Sequence, residues 1–169
     1  TTTLPKESAG LLKRKEDLRI LVRSYAKTLP PRAVFSHRSA LIIHGLPIPY
    51  FDDDEPICAE TVHPRHAVRR PTMVIRRREL EPADIVEVDG VPVTSLLRTL
   101  LDISRDCPLA FAVAVVDDAL RCSLVTLHEF RDYCVRNRVR THQGRIDLVL
   151  DHADGRRETV AESICAMRF

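Results

Sequence analysis

The chain has 169 residues, of which 44% are hydrophobic and 5% aromatic, with no tryptophan and a formal net charge of +2. This length and composition support one globular domain, or one domain with an appendage. They argue against an aromatic platform for single-stranded nucleic acid and against a global electrostatic attraction to DNA. Five dispersed cysteines without a C-x-x-C pair predict free thiols and a reducing, cytoplasmic location, and no apolar run is long enough to predict a membrane span.

The order of local patterns predicts an α+β fold, with a small twisted antiparallel or mixed sheet near residues 57–93, a helix pair before it and a helical part after it. We divide the chain accordingly into an N-terminal tail and helix (1–30), an α+β core (31–106) and a helical part (107–169) that ends in an incomplete-looking helix. An amphipathic stripe, which Pro30 and Pro31 end, predicts the first helix. Its members are Leu18, Leu21, Val22, Tyr25 and Leu29.

The stretch "FSHRSALIIHGLP" predicts a short helix with its own start and stop signals. Ser36 is suited to accept a hydrogen bond from a free backbone N–H of the first turn, and Gly45 to the left-handed position after the last. His37 and His44 lie about 10 Å apart along the axis, too far for two ligands of one zinc ion. We expect a ring nitrogen of His44 to bond a buried polar group. The structural cassette comprises Ser36, His37, Arg38, Ser39, His44 and Gly45.

The middle of the chain is predicted to be β structure. The segments "ICAETV" and "PTMVIRR" are expected to form short strands separated by the basic loop "HPRHAVRR". Asp89-Gly90, between two valine-rich alternating runs, is typical of a two-residue hairpin turn that needs positive φ. The acidic run between residues 47 and 56 is expected to be solvated.

The last third is predicted to be helical. The segment 108–121 is apolar nearly all round and should be the most buried helix, with one carboxylate of Asp117-Asp118 pairing with an arginine such as Arg98 or Arg121. Thr126 and Glu129 have the spacing of a capping box for the next helix.

No enzyme signature is present: the sequence has no phosphate-binding glycine loop, no dinucleotide fingerprint and no G-x-S-x-G. His63 and His66 have a spacing that zinc sites use, but nothing in the sequence completes a ligand set. We therefore assign no catalytic residues, no metal site and no cofactor.

The basic residues are more informative. Arginine donates in a planar fork that suits phosphate and carboxylate oxygens, so a cluster indicates nucleic acid, an acidic protein partner or merely solvated charge, and the sequence leaves all three open. The candidate contact residues are Arg65, Arg69, Arg70, Arg76, Arg77 and Arg78.

Taken in order, the motifs "FSHRSALIIHGLPIP", "VDGVPVTSLLRTLLDIS", "AFAVAVVDDALRCSLVT" and "ETVAESICAMRF" resemble the actinobacterial branch of the AbiEi-type family, the bacterial antitoxin and transcriptional-regulator-like proteins of type IV toxin–antitoxin systems. The resemblance covers about residues 30–169 and is most specific over the cassette and over residues 88–102.

The resemblance implies a non-enzymatic regulator domain that binds a nucleotidyltransferase-like toxin and makes auxiliary contacts with operator DNA. Members commonly carry a winged helix-turn-helix before this region, for which residues 1–30 are too short. Many continue into a domain resembling very-short-patch-repair endonucleases, so the alternative is the N-terminal part of such a nuclease, whose catalytic domain this chain would lack.

Overall fold

The computed structural model describes residues 6–46, 48–49, 56–157 and 160–166, which form seven α-helices and one six-stranded mixed sheet. The α+β class and the helical C-terminal part are thus confirmed. The helices are α1 (Lys6–Tyr25), α2 (His37–His44), α3 (Leu96–Asp106), α4 (Leu109–Arg121), α5 (Leu127–Arg136), α6 (Gln143–His152) and α7 (Val160–Ala166).

The sheet has the strand order β3-β4-β2-β1-β6-β5, so β3 and β5 are its two edges. Neighbours β1–β2, β3–β4 and β5–β6 are antiparallel, whereas β2–β4 and β1–β6 are parallel. The strands are β1 (Ala33–Phe35), β2 (Ile57–Thr61), β3 (Val68–Arg70), β4 (Met73–Arg77), β5 (Ile85–Val88) and β6 (Val91–Thr94).

Two of these strands were not predicted. Strand β1, between α1 and α2, has only three residues and all are buried, so it shows no alternation by which a strand could be recognised. Strand β3 lies within the stretch that the sequence predicts to be a basic loop, and its partner β4 supplies the pairing that makes it a strand.

The Asp89-Gly90 hairpin is confirmed. Asp89 has φ of 50° and Gly90 of 76°, and Val88 pairs with Val91 across the turn. Both central residues therefore adopt the left-handed conformation that this two-residue turn requires.

The helices pack outward from the sheet. Helix α2 contacts β2 and β6 and packs on α3, which in turn packs on α4 and α6. One hydrophobic cluster runs through these elements from Val22 to Leu150. Every residue from Phe111 to Ala119 is buried, but the prediction that this is the most buried helix is wrong: 9 of the 13 residues of α4 are buried, against 8 of 11 in α3 and 6 of 8 in α2. Leu21, which we expected on the apolar stripe of α1, is 44% exposed, whereas its neighbour Val22 is buried.

Local predictions about the C-terminal helices are also confirmed. Thr126 and Glu129 form both bonds of the capping box of α5, and Asp118 pairs with Arg121. All five cysteines are free thiols. None of the helices in the described ranges is both long enough and apolar enough to cross a membrane.

Candidate functional site

The cassette that starts α2 is held by side-chain bonds other than the expected one. Ser36 precedes the helix, but its Oγ lies 2.9 Å from Nδ1 of His37 and bonds the ring instead of a backbone N–H of the first turn, so that part of the capping prediction is wrong. Ser39 Oγ accepts the backbone N–H of Cys58 at 2.9 Å, which ties α2 to β2.

The end of α2 is fixed in a similar way. Gly45 has φ of 79°, as the left-handed cap requires, and Nε2 of His44 donates to the carbonyl oxygen of Thr94 at 2.8 Å. Burial lowers the pKa of His44, although the hydrogen bond to Thr94 acts in the opposite direction. The lowered pKa favours the neutral ring. At the other end, the guanidinium of Arg38 stacks 4.4 Å from the ring centre of Phe111 and anchors α2 on α4.

Beside the cassette lies a group of buried charged side chains from four different segments, which we call the ionic cluster. Its centre is Arg98 of α3: Nε bonds Asp102 at 3.0 Å, Nη2 bonds Glu60 at 3.0 Å and Nη1 reaches Asp84 at 3.3 Å. The cluster consists of His37, Glu60, Asp84, Arg98, Asp102, Arg105 and Asp106.

The remaining contacts connect the members of the cluster within α3 and join them to the cassette. Arg105 Nη2 lies 2.7 Å from Asp102 and 3.1 Å from Asp106, and Asp106 also contacts Nε2 of His37 at 2.9 Å. Arg78, at the end of β4, approaches the same oxygen of Asp106 at 3.4 Å. On the far side Asp84 accepts a short hydrogen bond from the hydroxyl of Tyr133 in α5.

The charges in this cluster perturb one another. Burial, together with the nearby Asp102, raises the pKa of Glu60 to about 7, although His37, Arg98 and Arg105 oppose it. The pKa of Asp106 moves the other way: burial would raise it, but hydrogen bonds from His37 and Arg105 hold it well below the ordinary range. Burial alone would lower the pKa of Arg98, yet Asp102 and Glu60 raise it, so that arginine stays charged.

Three members of the cluster have ligand atoms close enough for a metal ion. One atom each from His37, Glu60 and Asp102 lies within 4.8 Å of the others. However, Nη2 of Arg105 is already 2.7 Å from Asp102 and 3.7 Å from Glu60, and Arg98 bonds both carboxylates as well. Since two guanidinium groups neutralise these carboxylates, the donor set fits an internal ion-pair network better than a cation site.

Sequence reasoning missed this cluster, apart from naming Arg98 as a partner for the wrong aspartates. One signal was available: Arg98, Asp102 and Arg105 recur at helical spacing on one face of an otherwise apolar helix. The partners on β2 and before β5 carry no such pattern, because nothing local marks a buried glutamate.

The six candidate arginines are divided by the structure. Arg65, Arg69, Arg70 and Arg77 are exposed, Arg76 is half-buried, and Arg78 joins the ionic cluster. Arg69 lies opposite Val74 and Arg70 opposite Met73. Because successive side chains of a strand point to opposite faces, Arg69 and Arg76 share one face of the sheet, while Arg70 and Arg77 share the other. We call this region, β3 with β4 and the turn before β3, the basic edge.

The histidines next to the basic edge contact each other. The rings of His63 and His66 are stacked with their centres 4.5 Å apart, beside the exposed Arg65. Within the described part of the chain, these two rings belong to no group of three or more potential metal ligands.

Comparison of the chain with protein-family models gave no match, and comparison with curated proteins and with solved structures gave none either.

Proposed function

We propose that this chain is a non-enzymatic, antitoxin-like regulator domain that binds a nucleotidyltransferase-like toxin through the basic edge and makes auxiliary contacts with DNA. The motif resemblance suggests the class. The structural observation that supports it is the basic edge itself: five arginines that pair with no carboxylate among the described residues, on the edge strand β3, its neighbour β4 and the turn before β3.

The contrast with other arginines gives this observation its weight. Arg98, Arg105, Arg121 and Arg157 all hold carboxylates of this chain, and so does Arg78 at the end of β4. An arginine cluster without internal partners is suited to receive the carboxylates of another protein or the phosphates of a nucleic acid. An edge strand also presents backbone N–H and C=O groups that no neighbouring strand occupies.

The ionic cluster supports a structural role for the residues that most resemble catalytic ones. His37 is 2% exposed, and Glu60 and Asp102 are 0% exposed. Each of them bonds or contacts another member of the cluster. These groups hold β2, α2 and α3 together, which fits a binding domain.

The proposal is tested by co-expressing the chain with a nucleotidyltransferase-like toxin encoded beside it and measuring growth. Arg69, Arg70 and Arg77 are replaced together by glutamine. The matched control replaces Arg136, Arg138 and Arg140, which are equally exposed and remove the same charge. We expect the first variant to lose neutralisation and the control to keep it. Full neutralisation by both variants contradicts the proposal.

The nuclease alternative has its own readout. Incubation of the chain with supercoiled plasmid and Mg²⁺ or Mn²⁺ is expected to leave the plasmid intact. Cleavage that disappears when Asp117 or Asp118 is replaced by asparagine would favour the alternative.

A further inference from the structure

A cavity of about 370 Å³ opens between β3 and β4 on one face of the basic edge. Its polar lining comes from Arg69 and Arg76, and no acidic residue of the described ranges lines it. Four apolar residues complete the wall, and these are Ala67, Val68, Val74 and Ile75.

The strand register explains why both arginines line this cavity. Arg69 pairs with Val74, and Arg76 lies two residues further along β4. Such diagonal neighbours on an antiparallel pair have Cβ atoms roughly 7–8 Å apart, within reach of long side chains. Like charges on such neighbouring positions repel each other, and an anion bound between them would relieve that repulsion.

Arg76 has an additional unsatisfied group. Its Nη1 is shielded from solvent and has no hydrogen-bond partner among the described residues. Leaving a buried donor unpaired costs about 1–3 kcal/mol, and more when the group is charged, so an acceptor at this position would be stabilising.

The nearest carboxylate in the register is bonded elsewhere through one of its oxygens. Glu60 pairs with Arg76 across β2 and β4, but its Oε2 bonds Arg98 at 3.0 Å, and its Oε1 has no hydrogen-bond partner among the described residues. Burial raises the pKa of the neighbouring Cys58 thiol, and the charge and hydrogen bond of Arg76 act against that rise, as does the charge of Arg38.

We infer that this cavity holds one backbone phosphate of a nucleic acid, with Arg69 and Arg76 as the two donors. This deepens the auxiliary DNA contact of the proposed function and rests on it, but it assigns that contact to a single face of the basic edge. A phosphate offers several acceptor oxygens to two forks at once, and Val74, which lies on the same face, offers apolar contact to the sugar beside it.

The test uses the full chain with a fluorescein-labelled DNA oligonucleotide, measured by anisotropy at several salt concentrations. One variant carries Arg69→Gln and Arg76→Gln. The control carries Arg136→Gln and Arg138→Gln, which removes the same charge from exposed residues outside the basic edge. Near 0.15 M salt the Debye length is about 8 Å, so distant charges count little.

We expect the first variant to weaken binding at least tenfold and to reduce the steepness of log K against log[salt] by about 0.9, the value for one phosphate. The control is expected to change affinity less than threefold. Equal losses in both variants, or no loss in the first, overturn the inference. Since Arg76 is half-buried, Arg69→Gln alone is measured too, and a loss below threefold counts against the site.

Two further measurements identify the class of anion that binds and distinguish failure of this inference from failure of the proposed function. Inorganic phosphate is expected to compete with the oligonucleotide, whereas a poly-glutamate peptide is not. Competition by the peptide alone overturns the phosphate assignment. If the Arg69/Arg76 variant binds DNA normally but the toxin is neutralised, only this inference fails. If phosphate binding holds while neutralisation by the unmodified chain is absent, the inference holds and only the toxin-binding part of the proposed function fails.

Discussion

Glu60 is the residue that most directly links the stability of this chain to pH. Its side chain is 0% exposed, and burial with the neighbouring Asp102 raises its pKa to about 7. In the unfolded chain the same carboxyl group titrates near pH 4.5. Between these two values the folded protein holds a proton that the unfolded chain releases.

The sign of the effect follows from this difference. The contribution of Glu60 to stability is fully present below about pH 4.5 and is lost as the pH rises through 7, by up to about 3 kcal/mol. Replacing Glu60 by glutamine removes the titration. We therefore expect the free energy of unfolding, measured with urea from pH 5 to 8, to fall more steeply with pH in the unmodified chain than in the variant.

The pH range and one control variant isolate the contribution of Glu60. Asp106 has the opposite sign, because its lowered pKa gives a contribution that is lost only on acidification below the ordinary carboxyl range, so the interval from pH 5 upward excludes it. Glu87→Gln, on the exposed strand β5, should keep the slope of the unmodified chain. A Glu60→Gln variant with that same slope contradicts the assignment.

At the scale of the elements, the hairpin and the capping box show what local sequence can specify. Asp89-Gly90 and Thr126 with Glu129 act over four residues or fewer, so their chemistry is complete within the stretch that reveals it. Strand β3 depends on a partner strand, and its basic composition conceals the pairing. Local signals therefore predicted the hairpin turn and the cap of α5, and they missed β3, where the partner strand decides the structure.

A pair of glycines tests how much the backbone of one element contributes. Gly90 has φ of 76°, whereas Gly144 lies in α6, and a Cβ at either position would meet nothing within 4 Å. Gly90→Ala is expected to cost about 1 kcal/mol of unfolding free energy, because an L-residue is strained in that conformation. Gly144→Ala should instead be neutral or stabilising by up to about 1 kcal/mol. Chemical denaturation of both variants checks this, and effects of the same destabilising sign would refute it.

At the scale of the whole molecule, Asp117 joins the C-terminal segment to the buried helix α4. Its Oδ1 accepts the backbone N–H of Asp154 at 2.6 Å, and its Oδ2 accepts from Arg157 at 2.7 Å and from Ser163 at 2.6 Å. One carboxylate thus fixes both the turn after α6 and helix α7.

Asp117→Ala should loosen that segment locally. We expect hydrogen exchange to accelerate at least tenfold over residues 154–157 and 160–166, while α3 and the core of α4 keep their protection, because those are held by other contacts. The control is Asp118→Ala, since Asp118 pairs with Arg121 within α4. Equal acceleration in both variants, or uniform loss across the chain, would contradict this role.

The candidate sites were predictable to different degrees for the same reason. The arginines of the basic edge are close in sequence and could be named in advance, but their division between two faces needed the register of β3 and β4. The ionic cluster joins His37 with Asp106, 69 positions apart, and Asp84 with Tyr133, 49 positions apart. Only the assembled fold brings such residues together.

That long sequence separation gives the ionic cluster a consequence for folding. Its pairs form only after distant segments have met, so they contribute little to the early, local steps. They do distinguish correct from incorrect strand pairing: a slip of β2 by one residue would turn Glu60 to the opposite face and leave Arg98 without one of its buried carboxylates. The buried charges thereby destabilise a sheet with the wrong register, which hydrophobic contacts alone would tolerate.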